Sequence, residues 1–260
     1  MAVQMTGDLF DISEEHRRLV ERMTLIMRNA DEPMSITDLA EIAGLSPFYF
    51  SRIFREHSGI PPGEFQTALR FERAKELLLT SPASITEICF EVGYGSLGTF
   101  SSRFKNLVGV SPAEFRQLPH VVADMDIREQ IVRNPLDETP GTAVVEGEAI
   151  LPEPGARGIY IGVYPDFIAA SRPVAGVSLS EPGPFRVTGI PKGNWRLLSA
   201  ALPYENDPLV HLLPMKDAVV ASGGTLEVRT GNERFSRTLR FHEPRQYMAP
   251  VLTALPVLLL

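Results

Sequence analysis

Basic side chains stand beside polar and aromatic ones in two short segments of the chain. Arg52 and Arg55 follow Tyr49 in the first segment, and Arg103 and Lys105 follow two serines in the second. An arginine guanidinium forms two hydrogen bonds with the edge of a guanine, and either cation binds phosphate oxygens. These residue types therefore suit nucleic-acid binding, provided that each set lies on an exposed face.

The two segments are copies of one unit. Residues 46–65 and 96–115 are identical at eight equivalent positions, and the similarity continues upstream between residues 35–39 and 84–88. Two copies are too few for a solenoid. A pair of equivalent modules, each built for the same task, is the better interpretation.

Each copy predicts a helix, a turn that contains a glycine, and a second helix. Ser35 is a favourable N-cap, and Gly44 follows the last apolar position of the helix that Ser35 begins. Ser46 then caps the second helix, and Gly93 and Ser96 hold the corresponding positions in the other copy. This order is that of a helix-turn-helix, in which the second helix enters the major groove. On periodicity alone, a domain of packed amphipathic helices without a nucleic-acid role stays an alternative.

The apolar positions of each second helix decide which residues face outward. Phe50 and Phe54 form the buried stripe of the first copy, and Phe100 and Phe104 that of the second. Between the copies, residues 62–79 predict one longer helix. The residues predicted to contact DNA are Pro47, Phe48, Tyr49, Ser51, Arg52, Arg55, Leu97, Gly98, Ser101, Ser102, Arg103 and Lys105.

Several motifs of this region resemble those of one known family. They are residues 50–54 (Phe-Ser-Arg-Ile-Phe), 91–94 (Glu-Val-Gly-Tyr), 100–105 and 109–116. Together they resemble the DNA-binding domain of the AraC/XylS transcription regulators, over residues 33–118. The resemblance implies two recognition helices in successive major grooves of double-stranded DNA, with RNA polymerase as a candidate partner.

The second copy departs from the pattern of that family. Ser102 stands where family members usually have arginine, and Leu97 and Gly98 offer no polar side chain to a base edge. Reading by this helix should therefore depend more on apolar contact and DNA shape than on paired hydrogen bonds.

Composition limits the class of protein. The 260 residues are enough for two domains, and the net charge of −7 argues weakly against a polyanion partner, although both recognition segments are locally basic. The single cysteine, Cys89, lies on an apolar helix face and is expected to be structural. Met1–Phe10 does not resemble a signal peptide, and the apolar stretch Ala249–Leu260 is too short to span a bilayer. We expect a cytoplasmic protein that does not enter a membrane.

After residue 140 the chain becomes dense in glycine and proline, which favours short strands. Eight candidate strands have turn signals about every ten residues, as in a β-sandwich. Residues 185–197 also resemble the strand-turn-strand phrase of transthyretin-like and carboxypeptidase-regulatory-like sandwiches. The candidate strands are Ala143–Ile150, Gly158–Tyr164, Val174–Leu179, Phe185–Thr188, Trp195–Leu202, Ala218–Ala221, Thr225–Arg229 and Arg237–Phe241.

This second region offers candidates for an effector pocket. The loop over residues 203–214 is longer than a hairpin needs, and such loops are often functional. Core packing is the alternative role for each aromatic residue, and His211 is expected to be a surface or loop histidine because no second ligand stands at metal-binding spacing. The pocket candidates are Tyr160, Tyr164, Trp195, Tyr204 and His211.

The sequence thus predicts an α+β chain of two separate domains. An all-α bundle with an N-terminal helix and two helix-turn-helix motifs occupies residues 1–118, a linker 119–140, and an all-β sandwich 141–260. The predicted function is sequence-specific regulation of transcription by a homodimer, with the sandwich dimerising, sensing a small molecule, or both. The alternative makes the sandwich a ligand-free protein-docking module. A tethered enzyme is disfavoured because the sequence shows no nucleophile elbow, phosphate-cradling loop or convincing carboxylate pair, and no cofactor or metal is expected.

Overall fold

A helical N-terminal region precedes a sheet-rich C-terminal region, as the sequence predicts. The structure, a computed structural model, describes residues 14–30, 32–123, 126, 143–153, 155, 157–205 and 207–259. The contacts divide the chain into two compact units, Met1–Thr67 with Arg245–Ala249, and Ala68–Pro244 with Pro250–Leu260. This division falls inside a helix and differs from the predicted domain limits.

The helices begin and end where the local sequence signals place them. Ser35 forms a capping box with Asp38, and Gly44 (φ +69°) ends that helix in the left-handed conformation. The helix predicted over 62–79 is present. The N-terminal helices are α1 Glu14–Asn29, α2 Ile36–Ala43, α3 Pro47–Ser58, α4 Pro62–Thr80, α5 Ile85–Glu91, α6 Leu97–Val108 and α7 Pro112–Ala123.

The first unit packs α1, α2 and α3 around buried aromatic rings. Phe54 is fully buried, and its ring contacts those of Phe50 and Phe65 at centroid distances of 5.7 and 5.3 Å. Residues 245–249 belong to this unit, because Arg28 donates a hydrogen bond to the carbonyl oxygen of Met248 at 3.3 Å.

The second unit repeats this packing around α5, α6 and α7. Phe104 is fully buried, and its ring lies 6.0 Å from Phe71, 5.8 Å from Phe100 and 5.6 Å from Phe115. The burial predicted for Phe54 and Phe104 is therefore confirmed. Cys89 is also buried, as expected.

The strands of the sheet-rich region are β1 Ala143–Ile150, β2 Arg157–Tyr164, β3 Ala175–Leu179, β4 Gly183–Ile190, β5 Gly193–Pro203, β6 Val219–Val228 and β7 Arg234–Arg240. They form two sheets. One has the strand order β4-β1-β7 and the other β3-β2-β5-β6, with β1 antiparallel to β4 but parallel to β7. Ile159, Val187 and Leu226 belong to a single core cluster that draws residues from both sheets, which is the arrangement that a sandwich requires.

Two of the predicted strands are one. Residues 218–221 and 225–229 were separated in the prediction by glycines, but β6 runs through them. Gly224 (φ +72°) lies where the register of β5 against β6 shifts, so the glycines mark a β-bulge rather than a turn. Leu197 packs so closely over Gly223 that a Cβ there would lie 2.4 Å from its Cδ2 atom.

Other sequence predictions also need correction. The strands of the 185–197 phrase, β4 and β5, lie in different sheets rather than in one hairpin. The predicted loop over residues 203–214 contains a short helix, α8 Pro208–Leu212, so the C-terminal region is not all-β. Helix α7 continues past the predicted boundary at residue 118 to Ala123, and most of the predicted linker lies outside the described residues.

Candidate nucleic-acid interface

Helix α3 exposes one face that carries the first set of predicted DNA-binding residues. Ser46 accepts a hydrogen bond from the backbone N–H of Tyr49 at 3.3 Å, and Pro47 occupies the first turn, where its missing N–H costs nothing. Phe48 is 82% exposed. Pro47, Arg52 and Arg55 are exposed as well, whereas Tyr49 and Ser51 are half-buried.

Arg52 is held in place on this face by two neighbours. Its guanidinium lies 4.9 Å from the ring centroid of Tyr49, and its Nη1 atom lies 2.8 Å from Oε1 of Glu56. Tyr49 is fixed in turn, because its hydroxyl lies 3.4 Å from Nε2 of His16 in α1. Since the Arg52–Glu56 pair is exposed, it contributes little to stability and can exchange for a base or phosphate.

Helix α6 exposes the corresponding face with different chemistry. Ser96 accepts a hydrogen bond from the N–H of Thr99 at 3.5 Å and caps the helix. Leu97 is 41% exposed. A shallow depression on this face is lined by Gly98, Thr99, Ser102, Arg103 and Asn106. Ser101 is half-buried, and Gly98, Ser102, Arg103 and Lys105 are exposed.

Sequence reasoning missed the side chains that hold the second helix pair together. Arg70 of α4 donates to the carbonyl oxygen of Val92 at 2.6 Å, and its guanidinium lies 4.1 Å from the ring centroid of Tyr94. This contact fixes the turn between α5 and α6, whose residue Gly93 has φ +78°. The available signal was a long cationic side chain beside the apolar positions of α4, where such a stem packs and its head reaches a carbonyl.

The predicted effector residues do not form one pocket. Ile159 and Ile161 of β2 point into the core between the sheets, so the alternate residues Tyr160 and Tyr164 project from the opposite face. Trp195 packs against the core, and its Nε1–H donates to the carbonyl oxygen of Pro191 at 2.8 Å. The four-stranded sheet therefore separates Trp195 from the two tyrosines.

The two tyrosines are deeply buried. Burial raises the pKa of Tyr164 to about 12, despite a hydrogen bond with Thr253. Burial, with a smaller contribution from Tyr204, also raises the pKa of Tyr160. The Tyr160 hydroxyl has no hydrogen-bond partner among the described residues.

His211 is buried in α8, which corrects the expectation of a surface or loop histidine. Its Nε2 atom lies 3.3 Å from the carbonyl oxygen of Glu205, while Nδ1 has no partner in the described part of the chain. Burial lowers the pKa of His211. Tyr204 donates to the carbonyl oxygen of Ser180 at 2.9 Å.

The described residues contain neither a candidate metal centre nor a candidate membrane span. No group of three or more His, Cys, Asp or Glu residues there is placed to hold a metal ion. No described helix is long and apolar enough to cross a membrane.

Comparison with known proteins defines the class of the helical region. Residues 39–118 match the family described as helix-turn-helix domain. An uncharacterized HTH-type transcriptional regulator from Haemophilus influenzae is 37% identical over 111 residues, which are 43% of this chain and 37% of the relative. The HTH-type transcriptional regulator GlxA from Rhizobium meliloti is 37% identical over 87 residues, which are 34% of this chain and 27% of the relative.

A solved structure of a transcriptional regulator with an AraC-type DNA-binding domain, from Chromobacterium violaceum, is 32% identical. The match covers 39% of this chain and 91% of the solved chain, with a TM-score of 0.37. Residues 39–118 form an AraC-type helix-turn-helix domain. The chain spans only 37% and 27% of the length of the two curated relatives, so the roles of their other parts are not carried over.

Proposed function

We propose that the chain is a sequence-specific DNA-binding transcription regulator whose recognition helices, α3 and α6, enter successive major grooves. The observation that carries this proposal is the equivalence of the two helices. Each begins at a serine cap, buries a pair of phenylalanines and exposes the opposite face, residues 47–55 in α3 and 97–105 in α6. The match to the helix-turn-helix family over residues 39–118 supports it.

Because the exposed faces of α3 and α6 differ in chemistry, we expect the two halves of the operator to differ in sequence specificity. Helix α3 presents Tyr49, Ser51 and Arg52, which can form hydrogen bonds with base edges, whereas α6 presents Leu97, Gly98 and the short hydroxyls of two serines. We expect the cations of α6 to contact phosphates, which position a helix without specifying sequence. One half of the operator should therefore be sharply constrained. The other half, about one helical turn away, should be looser and rich in thymine, because Leu97 can contact the thymine methyl.

Selection from random double-stranded DNA, followed by base substitution across the selected site, tests the proposal. We expect one specific site with unequal information in its halves, and cross-linking from residues 47–55 should map to the constrained half. Equal or reversed information content would contradict the asymmetry. Failure to select any sequence above background would contradict the function.

For the C-terminal region, we propose dimerisation, sensing of a small molecule, or both. The buried Tyr160 hydroxyl and the buried Nδ1 atom of His211 have no partner within the described parts of the chain, and they support a sensing role because such groups are uncommon in folded proteins. The alternative is a ligand-free protein-docking module. Thermal stabilisation by one member of a metabolite panel would support sensing, since a ligand that binds only the native state raises the melting temperature.

The remaining partners follow from the proposed class. A homodimer should be evident by sedimentation equilibrium, and RNA polymerase is the candidate protein partner if the regulator activates transcription. We place the protein in the cytoplasm, where it would meet DNA.

A further inference from the structure

Carbonyl groups in the last turn of α6 accept hydrogen bonds from the C-terminal part of the second unit. The N–H of Ser171 donates to the carbonyl oxygen of Leu107 at 2.6 Å, and the N–H of Ala254 donates to that of Val108 at 3.1 Å. The last four carbonyls of a helix have no partner within the helix and need one elsewhere. Two of the four in α6 thus find partners from chain segments far away in sequence.

The two segments that supply these donors are also tied to each other. The hydroxyl of Thr253 donates to the carbonyl oxygen of Ser171 at 2.7 Å, and the N–H groups of Leu252 and Thr253 both lie 2.9 Å from the carbonyl oxygen of Ala169. Ser171 has φ +58°, a conformation that non-glycine residues rarely adopt. Such a conformation persists only where the surrounding contacts enforce it. Thr253 supplies one of those contacts and is itself buried.

A buried cation fastens the same segment to α4. Lys75 is 2% exposed, and its Nζ atom donates to the carbonyl oxygen of Val251 at 3.1 Å. The ammonium lies 5.6 Å from the ring centroid of Phe115 in α7. A buried charge is costly unless it is hydrogen-bonded, so release of Val251 would leave Lys75 without this compensation.

We propose that residues 169–171 and 251–254 form a brace that positions α6, with Thr253 and Lys75 as its positioning residues. Through the brace, a ligand or partner that shifts the sheet-rich region alters the orientation of α6. The consequence for DNA rests on the proposed function: such a shift changes recognition by residues 97–105 and leaves recognition by residues 47–55 intact.

Hydrogen exchange of the whole protein without DNA tests the brace directly. Thr253→Val keeps the size of the side chain but removes the hydroxyl that holds Ser171, and Thr253→Ser is the matched control that restores it. In Thr253→Val we expect the amides of residues 105–109 to exchange about tenfold faster, with residues 55–59 of α3 unchanged. Thr253→Ser should behave like the parent. Unchanged exchange, or acceleration spread evenly over the second unit, would overturn the brace.

Lys75→Met provides a second, independent variant, because an apolar side chain of similar length leaves no buried charge if the segment detaches. It should reproduce the faster exchange at residues 105–109 even if Thr253→Val fails to fold. Ordinary exchange at these amides in Lys75→Met would contradict the proposal.

DNA binding gives the second readout, with the operator selected for the parent protein. Both variants should bind about tenfold more weakly and lose discrimination only at bases facing residues 97–105. Equal loss in both halves, or an unchanged base profile, would overturn the positioning role. If the parent selects no operator, the proposed function fails, and hydrogen exchange alone still decides whether the brace exists.

Discussion

The two helix pairs end differently, although their sequences are copies of each other. Helices α3 and α6 both end at a glycine in the left-handed conformation, Gly59 at φ +81° and Gly109 at φ +99°. In the first, the hydroxyl of Ser58 lies 2.8 Å from the carbonyl oxygens of both Phe54 and Ile60. The equivalent residue of the second copy, Val108, has no hydroxyl, and its own carbonyl accepts from the sheet-rich region.

The difference shows that a repeated sequence does not give two equivalent environments. The hydroxyl of Ser58 makes a local hydrogen bond at the end of α3, whereas Val108 has no hydroxyl and the end of α6 accepts hydrogen bonds from Ser171 and Ala254. The exposed faces also differ, since α3 carries Arg52 and Arg55 beside Phe48, and α6 carries Leu97 and short hydroxyls beside Arg103 and Lys105. Under the proposed function, the first pair should supply more of the sequence specificity, and the second pair should be the one that responds to the brace.

Truncation of the equivalent core residues should have the largest effect. Phe54→Ala and Phe104→Ala should each lower the free energy of unfolding by about 3–5 kcal/mol, because each leaves a cavity among aromatic rings. Differential scanning calorimetry measures the loss. Phe54→Ala should act on the first unit, and Phe104→Ala on the second.

Phe48→Ala is the matched control for these truncations, because Phe48 lies in α3 but is 82% exposed. It should change stability by no more than about 0.5 kcal/mol. A core variant that melts like the parent while DNA binding fails would mean that the buried face of its helix is assigned wrongly.

The helices of the N-terminal region could be predicted because short local sequence patterns determine where they begin. Ser35, Ser46, Ser84 and Ser96 each cap a helix by accepting a hydrogen bond from the backbone N–H three residues on, so the cap and its helix are encoded within one short window. The brace could not be predicted from the sequence, because its contacts join residues that are far apart in the chain. The partners of the α6 carbonyls lie about 60 and 150 residues further along the chain, where no periodicity links them to α6.

The sequence also did not predict which face of the sheet each aromatic side chain occupies. Tyr160 and Trp195 lie on different strands, and only the pairing register shows that they point to opposite sides. The glycines near residue 223 read as a turn because a β-bulge and a turn both favour glycine. His211 illustrates the same limit, since its burial depends on how α8 packs rather than on its neighbours in sequence.

Lys75→Met should change the pH dependence of stability in the second unit and leave that of the first unit unchanged. Burial lowers the pKa of Lys75 from 10.5 to about 8, partly offset by the charge of Glu72. Below pH 8 the folded state therefore bears the full cost of a buried cation, and this cost disappears as pH rises toward 10.5. The stability of the second unit should rise over this window by roughly 3 kcal/mol relative to Lys75→Met.

Urea unfolding of parent and variant at several pH values measures that difference. The control is the first unit, which lacks Lys75 and should show the same pH profile in both proteins. A constant difference between parent and variant from pH 8 to 10.5 would contradict a shifted Lys75.

Arg52→Ala should expose the specificity of the first pair. If Arg52 reads a base edge, its loss should cost about 1–3 kcal/mol in specific binding and relax the preference at one position. Fluorescence anisotropy with operator and substituted operators gives both quantities. Glu56→Gln is the matched control because it removes the ion-pair partner of Arg52 and leaves the guanidinium. If Glu56→Gln weakened binding as much as Arg52→Ala does, a structural role through the ion pair would explain both.

Ser58→Ala should weaken the end of α3 by about 1 kcal/mol, because it removes the hydroxyl that donates to the carbonyl oxygen of Phe54 or of Ile60. Hydrogen exchange should accelerate at residues 55–59 and not at 105–109, the reverse of the pattern for Thr253→Val. Ser58→Thr keeps the hydroxyl and should lie closer to the parent. Faster exchange at both helix ends would show that the two ends are not independent.

Lys105→Ala should have the smallest effect and sharpen the contrast between the faces. The pKa of Glu114 is lowered by hydrogen bonds from Ser111 and, to a smaller extent, by the charge of Lys105. A lysine at the flank of α6 neutralises a phosphate without reading a base. Its loss should weaken binding by about 1 kcal/mol or less for every sequence and reduce the salt dependence of log affinity by about one unit. Lys105→Arg should keep both the affinity and the salt dependence of the parent protein. A changed base preference in Lys105→Ala would mean that α6 reads sequence through a cation, and the asymmetry between the two helices would have to be abandoned.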